Sequence, residues 1–86
     1  MQILRHKNFK KQYKKLPKPL KLKVDQTLVK FVDDPFAENL QNHALKGRLK
    51  GKRAIYIGAD LRMIFEEFDG YAIVLMLAVG SHNQVY

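Results

Sequence analysis

The run "AIVLMLAV", Ala72 to Val79, constrains this chain more than any other stretch. It holds no polar side chain and shows no alternation. Crossing a bilayer takes about 20 apolar residues, and this run is far shorter. Bounded by Gly70 and Gly80, it reads as a strand. A strand with no polar side is expected to be buried on both faces, inside a sheet. The rest of the chain must supply the cover.

Two further strand-like runs precede it. "RAIYI" alternates, with Arg53, Ile55 and Ile57 on one face and Ala54 and Tyr56 on the other. "LRMIFEEF" follows across "GAD", and the apolar run follows across Asp69–Gly70, a two-residue hairpin signal. Upstream, "QIL" reads as a short first strand that can close onto the last one. Phe9, Tyr13 and Leu16 form an apolar stripe on a lysine-rich helix, with Asn8 as a candidate N-cap. Pro17 ends that helix, and Pro19 fits the first turn of a second. The second helix carries Leu20, Val24, Leu28 and Phe31 inward and ends near Pro35. "FAENLQNHALKGRLKGKR" reads as a long connection with at most a short strand. The expected fold is α+β in the order β-α-α-β-β-β: an N-terminal helical hairpin on one face of a small, mostly antiparallel sheet. The opposite face is left open to water or a ligand.

At 86 residues the chain makes one domain, residues 1–86, with a small core. With no cysteine, disulfides and thiolate metal sites are excluded. The N-terminus lacks the apolar core of a signal peptide, so the expected location is the cytoplasm. The net charge of +8 is uneven. Residues 1–30 hold ten Lys/Arg against Asp25 alone; residues 31–86 hold six against seven Asp/Glu. Such a charge points to a polyanionic partner, nucleic acid before acidic protein.

No metal-ligand cluster, Gly-rich phosphate loop or nucleophile motif is present, so no metal and no cofactor are expected. What remains in the second half is a set of acid–base and cationic groups: His43, Lys52, Arg53, Tyr56, Asp60, Arg62, His82 and Tyr86. Metal-free RNA cleavage needs a base for the 2′-hydroxyl, an acid for the departing 5′ oxygen, and a cation for the phosphorane. Two histidines and an arginine can supply these, and a Tyr ring can stack on a splayed base. Each residue also has a plainer reading. His43 can be a surface loop residue, Asp60 a turn cap, Arg62 a partner of Glu66 or Glu67, Tyr86 a hydrophobic plug. The lysines of the first helix, Lys10 and Lys14 among them, can hold phosphates or simply face water. His6 has only the plain reading, an exposed junction residue.

The segments "HALKGRLKGKRAIYIGADLRMIFEE" and "DGYAIVLMLAVGSHNQVY" resemble the RelE/ParE toxin superfamily, and within it the YafQ-like branch. The shared features are His-x-Leu-x-Gly, Gly-x-Arg, a strand reaching Asp-x-Arg, then an apolar strand closing on Gly-Ser-His with an aromatic four residues later. The resemblance covers residues 43 to 86; the N-terminal half matches in its helical-hairpin layout. It implies a RelE-like microbial-RNase fold and the toxin of a type II toxin–antitoxin pair that cleaves messenger RNA in the ribosomal A site. By position it implies catalytic roles for His43, Asp60, Arg62, His82 and Tyr86, with His43 as base and His82 as acid. RNA contacts fall to Lys10, Lys14, Lys50, Lys52, Arg53 and Tyr56. It also implies an acidic antitoxin, in a heterotetramer or larger complex. Two positions depart from the branch: Tyr56 stands where a second His is common, and Ala78 where an Arg is common. Cation supply then shifts to Arg62, helped by Lys52 or Arg53. The alternatives are a ParE-like gyrase inhibitor without nuclease residues, which the two histidines oppose, and an inactive basic RNA-binding member.

Overall fold

The computed structural model describes residues 1–86. Strand β1 (Gln2–Arg5) leads into helices α1 (Lys7–Lys14) and α2 (Lys18–Asp33). Short 3-10 turns, Glu38–Leu40 and Gly47–Leu49, flank strand β2 (His43–Ala44). Strands β3 (Arg53–Gly58), β4 (Leu61–Phe68) and β5 (Ile73–Ser81) follow, and helix α3 (His82–Val85) closes the chain. The sheet order is β1-β5-β4-β3-β2. Only β1–β5 is parallel; every other pairing is antiparallel. The α+β hairpin-on-sheet layout holds, with β2 and α3 added to the expected order.

The core forms because the inward residues of every element converge. Phe9 from α1 and Val24 and Phe31 from α2 pack on Ile55, Met63, Phe65, Val74, Met76 and Val79. Phe31 meets Phe65 edge-on with ring centroids 5.0 Å apart. A Tyr13 hydroxyl donating to Asp25 Oδ1 at 2.8 Å ties α1 to α2. That bond, with burial and the Asp25 charge behind it, raises the Tyr13 phenol above its ordinary value. Leu22, Val29 and Val32, on the outer side of α2, are exposed.

Three local expectations change. The N-cap of α1 is His6, whose Nδ1 accepts from the Asn8 N–H at 3.0 Å. Asn8 instead donates from its side chain to the Leu77 carbonyl. The Asp69–Gly70 connection is longer than two residues: β4 ends at Phe68, β5 starts at Ile73, and Asp69, Gly70 and Tyr71 all have positive φ. Finally, β5 is an interior strand, but its two faces differ. Val74, Met76 and Val79 are buried under the helices, while Ile73, Leu75, Leu77 and Ala78 are half-covered on the open face. The helical hairpin covers one side only, and nothing of comparable size lies over the other.

Candidate active site

Register places the candidate residues across the open face. His43 pairs with Ala54, Ala54 with Ile64, and Ile64 with Ala78. Ala54 and Ile64 are fully shielded there, flooring a shallow surface. Two residues along, Tyr56 pairs with Arg62 and Arg62 with Gly80. Alternation then puts His43, Tyr56 and Arg62 on one face, with His82 and Tyr86 following at the end of β5.

Arg62 sits at the middle of this line. Its guanidinium carbon lies 4.7 Å from the Tyr56 ring centroid, its Nη1 reaches the Leu61 carbonyl at 3.3 Å, and Asp60 Oδ1 stands 4.0 Å away. It does not pair with Glu66 or Glu67. Glu66 meets Lys52 at 3.9 Å, and Glu67 accepts from the Tyr71 N–H. A planar cation held on a ring and beside a carboxylate keeps its remaining donors in a fixed fork. Asp60 owes its place to the "GAD" turn, where Ala59 and Asp60 both take positive φ, at 50° and 67°. Two left-handed residues match a hairpin turn to the twist of its strands.

The last residues form a helical turn against the sheet, with the His82 and Tyr86 rings 4.5 Å apart and edge-on. Tyr86 is half-buried, and burial pushes its phenol up while the nearby Arg62 charge opposes the rise. The last residue is held in place by His82, at i, i+4 spacing. Gly80 does not act as a turn glycine, for its φ is not positive. Its lack of a side chain leaves room for Gln84: a Cβ there would come within 2.7 Å of Gln84 Oε1.

His43 is exposed, and its Nδ1 lies 2.8 Å from the Gln41 carbonyl. A carbonyl only accepts, so Nδ1 carries a proton and the neutral ring offers Nε2 as acceptor. Three strand spacings separate His43 from Ala78, about 14 Å at the backbone. His43 on β2 and His82 after the end of β5 thus stand on opposite sides of β4, the strand that carries Arg62.

The other cationic candidates divide between faces. Lys52 is beside the open face through Glu66. Lys50 is exposed at the end of a 3-10 turn. Arg53 lies on the helix side, where its Nε donates to Asn42 Oδ1 at 2.8 Å and its guanidinium covers Phe36. Lys10 lines a helix-side groove with Arg5, Tyr13 and Asp25, and Lys14 is exposed on α1. Most of the basic charge therefore rides on α1 and α2, behind the sheet, in line with the ten Lys/Arg of residues 1–30. Lys15, Gln12 and Gln84 line one open cavity with Ser81. Nothing in the sequence marks Gln12 or Gln84, because glutamines carry no motif in a single chain. No three His, Asp or Glu side chains come together with metal-ligand spacing.

A helical hairpin on one face of a five-stranded sheet, with His, Arg and Tyr arrayed on the other, is the layout of a RelE-like fold. The family model for the bacterial toxin YafQ of type II toxin–antitoxin systems matches residues 1–86, and the chain belongs to that family. No curated protein matches it by sequence. Among solved structures, YafQ from E. coli strain BL21(DE3) superposes with a TM-score of 0.82 at 18% identity, covering 98% of this chain and 96% of that one. A YoeB/ParE toxin from Agrobacterium tumefaciens gives 0.78 at 16% identity, covering 95% and 99%. The toxin–antitoxin complex RelBE2 from Mycobacterium tuberculosis gives 0.64 at 16%, covering 94% and 96%. The chain is the toxin of a type II toxin–antitoxin system. No helix is long and apolar enough to cross a membrane.

Proposed function

We propose that this toxin is an endoribonuclease that cleaves messenger RNA in the ribosomal A site by metal-independent acid–base chemistry. The observation that supports the reading is strand order: Arg62 is on β4, His43 lies two strands away on β2, and the His82–Tyr86 pair follows β5 on the other side. In-line attack of a 2′-hydroxyl on the adjacent phosphate needs base and acid at opposite ends of the phosphorus, and the cation beside it. His43, with Nε2 free, takes the 2′-hydroxyl proton. His82 returns one to the departing 5′ oxygen. Arg62 stabilises the phosphorane charge, and Asp60 and Tyr56 hold its fork in place. Tyr86 offers its ring to a base and, with its phenol raised, stays protonated at neutral pH. Lys52 and Lys50 add backbone contacts at the β2 end.

The antitoxin in this reading is acidic, with an amphipathic helix. The helix side supports it: three grooves beside α2 bring Arg5, Lys10, Lys18 and Lys21 together with Leu22, Leu28 and Val29, with Asp25 as their one acidic lining residue.

The test is to induce the wild-type chain and His82→Ala in cells and to follow message integrity and growth. Wild type should cleave message and arrest growth, and His82→Ala should do neither. Equal arrest by both, or arrest with intact message, would rule out the ribonuclease reading.

A further inference from the structure

Strand β1 leaves β5 early. Its last pair is Arg5 with Met76, so β5 runs on to Ser81 with no strand on that edge. The unpaired edge is nevertheless satisfied. The His6 N–H donates to the Met76 carbonyl at 2.8 Å, and the Asn8 side chain to the Leu77 carbonyl at 3.3 Å. The Val79 N–H then donates to Gln12 Oε1 at 2.9 Å, and the Ser81 N–H to Gln84 Oε1 at 2.8 Å. Residues two apart on a strand present their N–H groups to the same edge. Gln12 and Gln84 thus continue, one after the other, the ladder that β1 abandons. His82 is the next residue.

We propose that Gln12 and Gln84 are positioning residues for the His82–Tyr86 end of the site, acting as side-chain substitutes for a missing strand. The inference rests on the ribonuclease reading for its link to chemistry. Gln12 is carried by α1, which is anchored through Phe9, a fully buried core residue. It therefore couples the helical layer to the end of β5. Gln84 closes the same edge from the other side, in the space that Gly80 leaves. With β4 pairing up to Leu61–Ser81 on the opposite edge, the backbone before His82 is held from both sides.

The experiment uses the purified full chain and four variants: Gln12→Met, Gln12→Glu, Gln84→Met and Gln84→Glu. Methionine keeps the length and removes the acceptor; glutamate keeps an acceptor. Each Met variant should lower kcat for RNA cleavage roughly tenfold to a hundredfold, the scale of an ångström-level misplacement, with KM within about twofold. Each Glu variant should recover most of the loss. In NMR spectra the Val79 or Ser81 amide should exchange faster in the corresponding Met variant, and the His82 and Tyr86 ring signals should move. Unchanged ring signals in both Met variants, or Glu variants as defective as Met, would overturn the proposal. If the wild type cleaves no RNA, the ribonuclease reading falls alone, and the ring signals still decide whether the glutamines position His82 and Tyr86.

Discussion

Arg62→Met separates catalytic from structural roles most sharply. The side chain is a quarter exposed, its carboxylate partner Asp60 is two-thirds exposed, and their contact is 4.0 Å long. Such a pair contributes about 0–1 kcal/mol to folding. The stack on Tyr56 adds about 0.5–1 kcal/mol, and methionine retains much of that packing. The variant should therefore lose about 1 kcal/mol of stability or less. If Arg62 stabilises the phosphorane, its removal instead costs about 100- to 1,000-fold in kcat, or ~3–4 kcal/mol of barrier. The assay pairs urea denaturation with single-turnover cleavage of RNA in a programmed ribosome. Arg62→Lys should recover part of the rate, since it restores charge without the planar fork. A Met variant that keeps kcat within about tenfold of wild type, below the range for a lost transition-state contact, would refute the assignment. So would a loss of stability that alone accounts for the lost activity.

Two further outcomes follow from the fold. Phe31→Ala removes a fully buried ring that meets Phe65 edge-on, and should cost about 3–5 kcal/mol, lowering the thermal midpoint by at least about 12 °C; a drop of under about 5 °C by calorimetry would mean the core collapses around the gap. Of the four tyrosines, Tyr13 and Tyr86 should ionise above the ordinary value of 10.0 in an ultraviolet absorbance titration, Tyr13 through its bond to Asp25 and Tyr86 through burial. Because the folded values are raised, the associated stability is complete below pH 10 and is lost as pH climbs through them, so chemical denaturation on either side of that pH should show the decline, and four tyrosines titrating as one would contradict it.

Much of the layout was legible in residue order. The apolar stripe of Phe9, Tyr13 and Leu16, the spacing of Leu20, Val24, Leu28 and Phe31, and the parity of β3 and β4 all report local periodicities. Periodicity is written into the chain because each face meets one environment. The N-cap was misplaced because imidazole is an uncommon capping group, whereas Asn8 is a common one. The half-covered open face of β5 is not visible in its apolar run, because a single sequence shows what a strand can hide and not whether a second layer exists to hide it.

The sequence by itself determined β1, α1, α2 and β3 to β5, the helical hairpin and the inward residues, since these follow from local geometry and from the need to bury apolar surface; it did not show α3. It also placed Arg62 opposite Leu61 and Met63 by strand alternation. Only the tertiary structure decided that Arg53 turns to the helix side and Asn42, that Glu66 takes Lys52 and leaves Arg62 to Tyr56 and Asp60, and that Gln12 and Gln84 finish an edge β1 does not reach. Each of these is a choice among partners far apart in the chain. Alternation fixes the side on which a residue stands, but register and layer packing fix what it meets there.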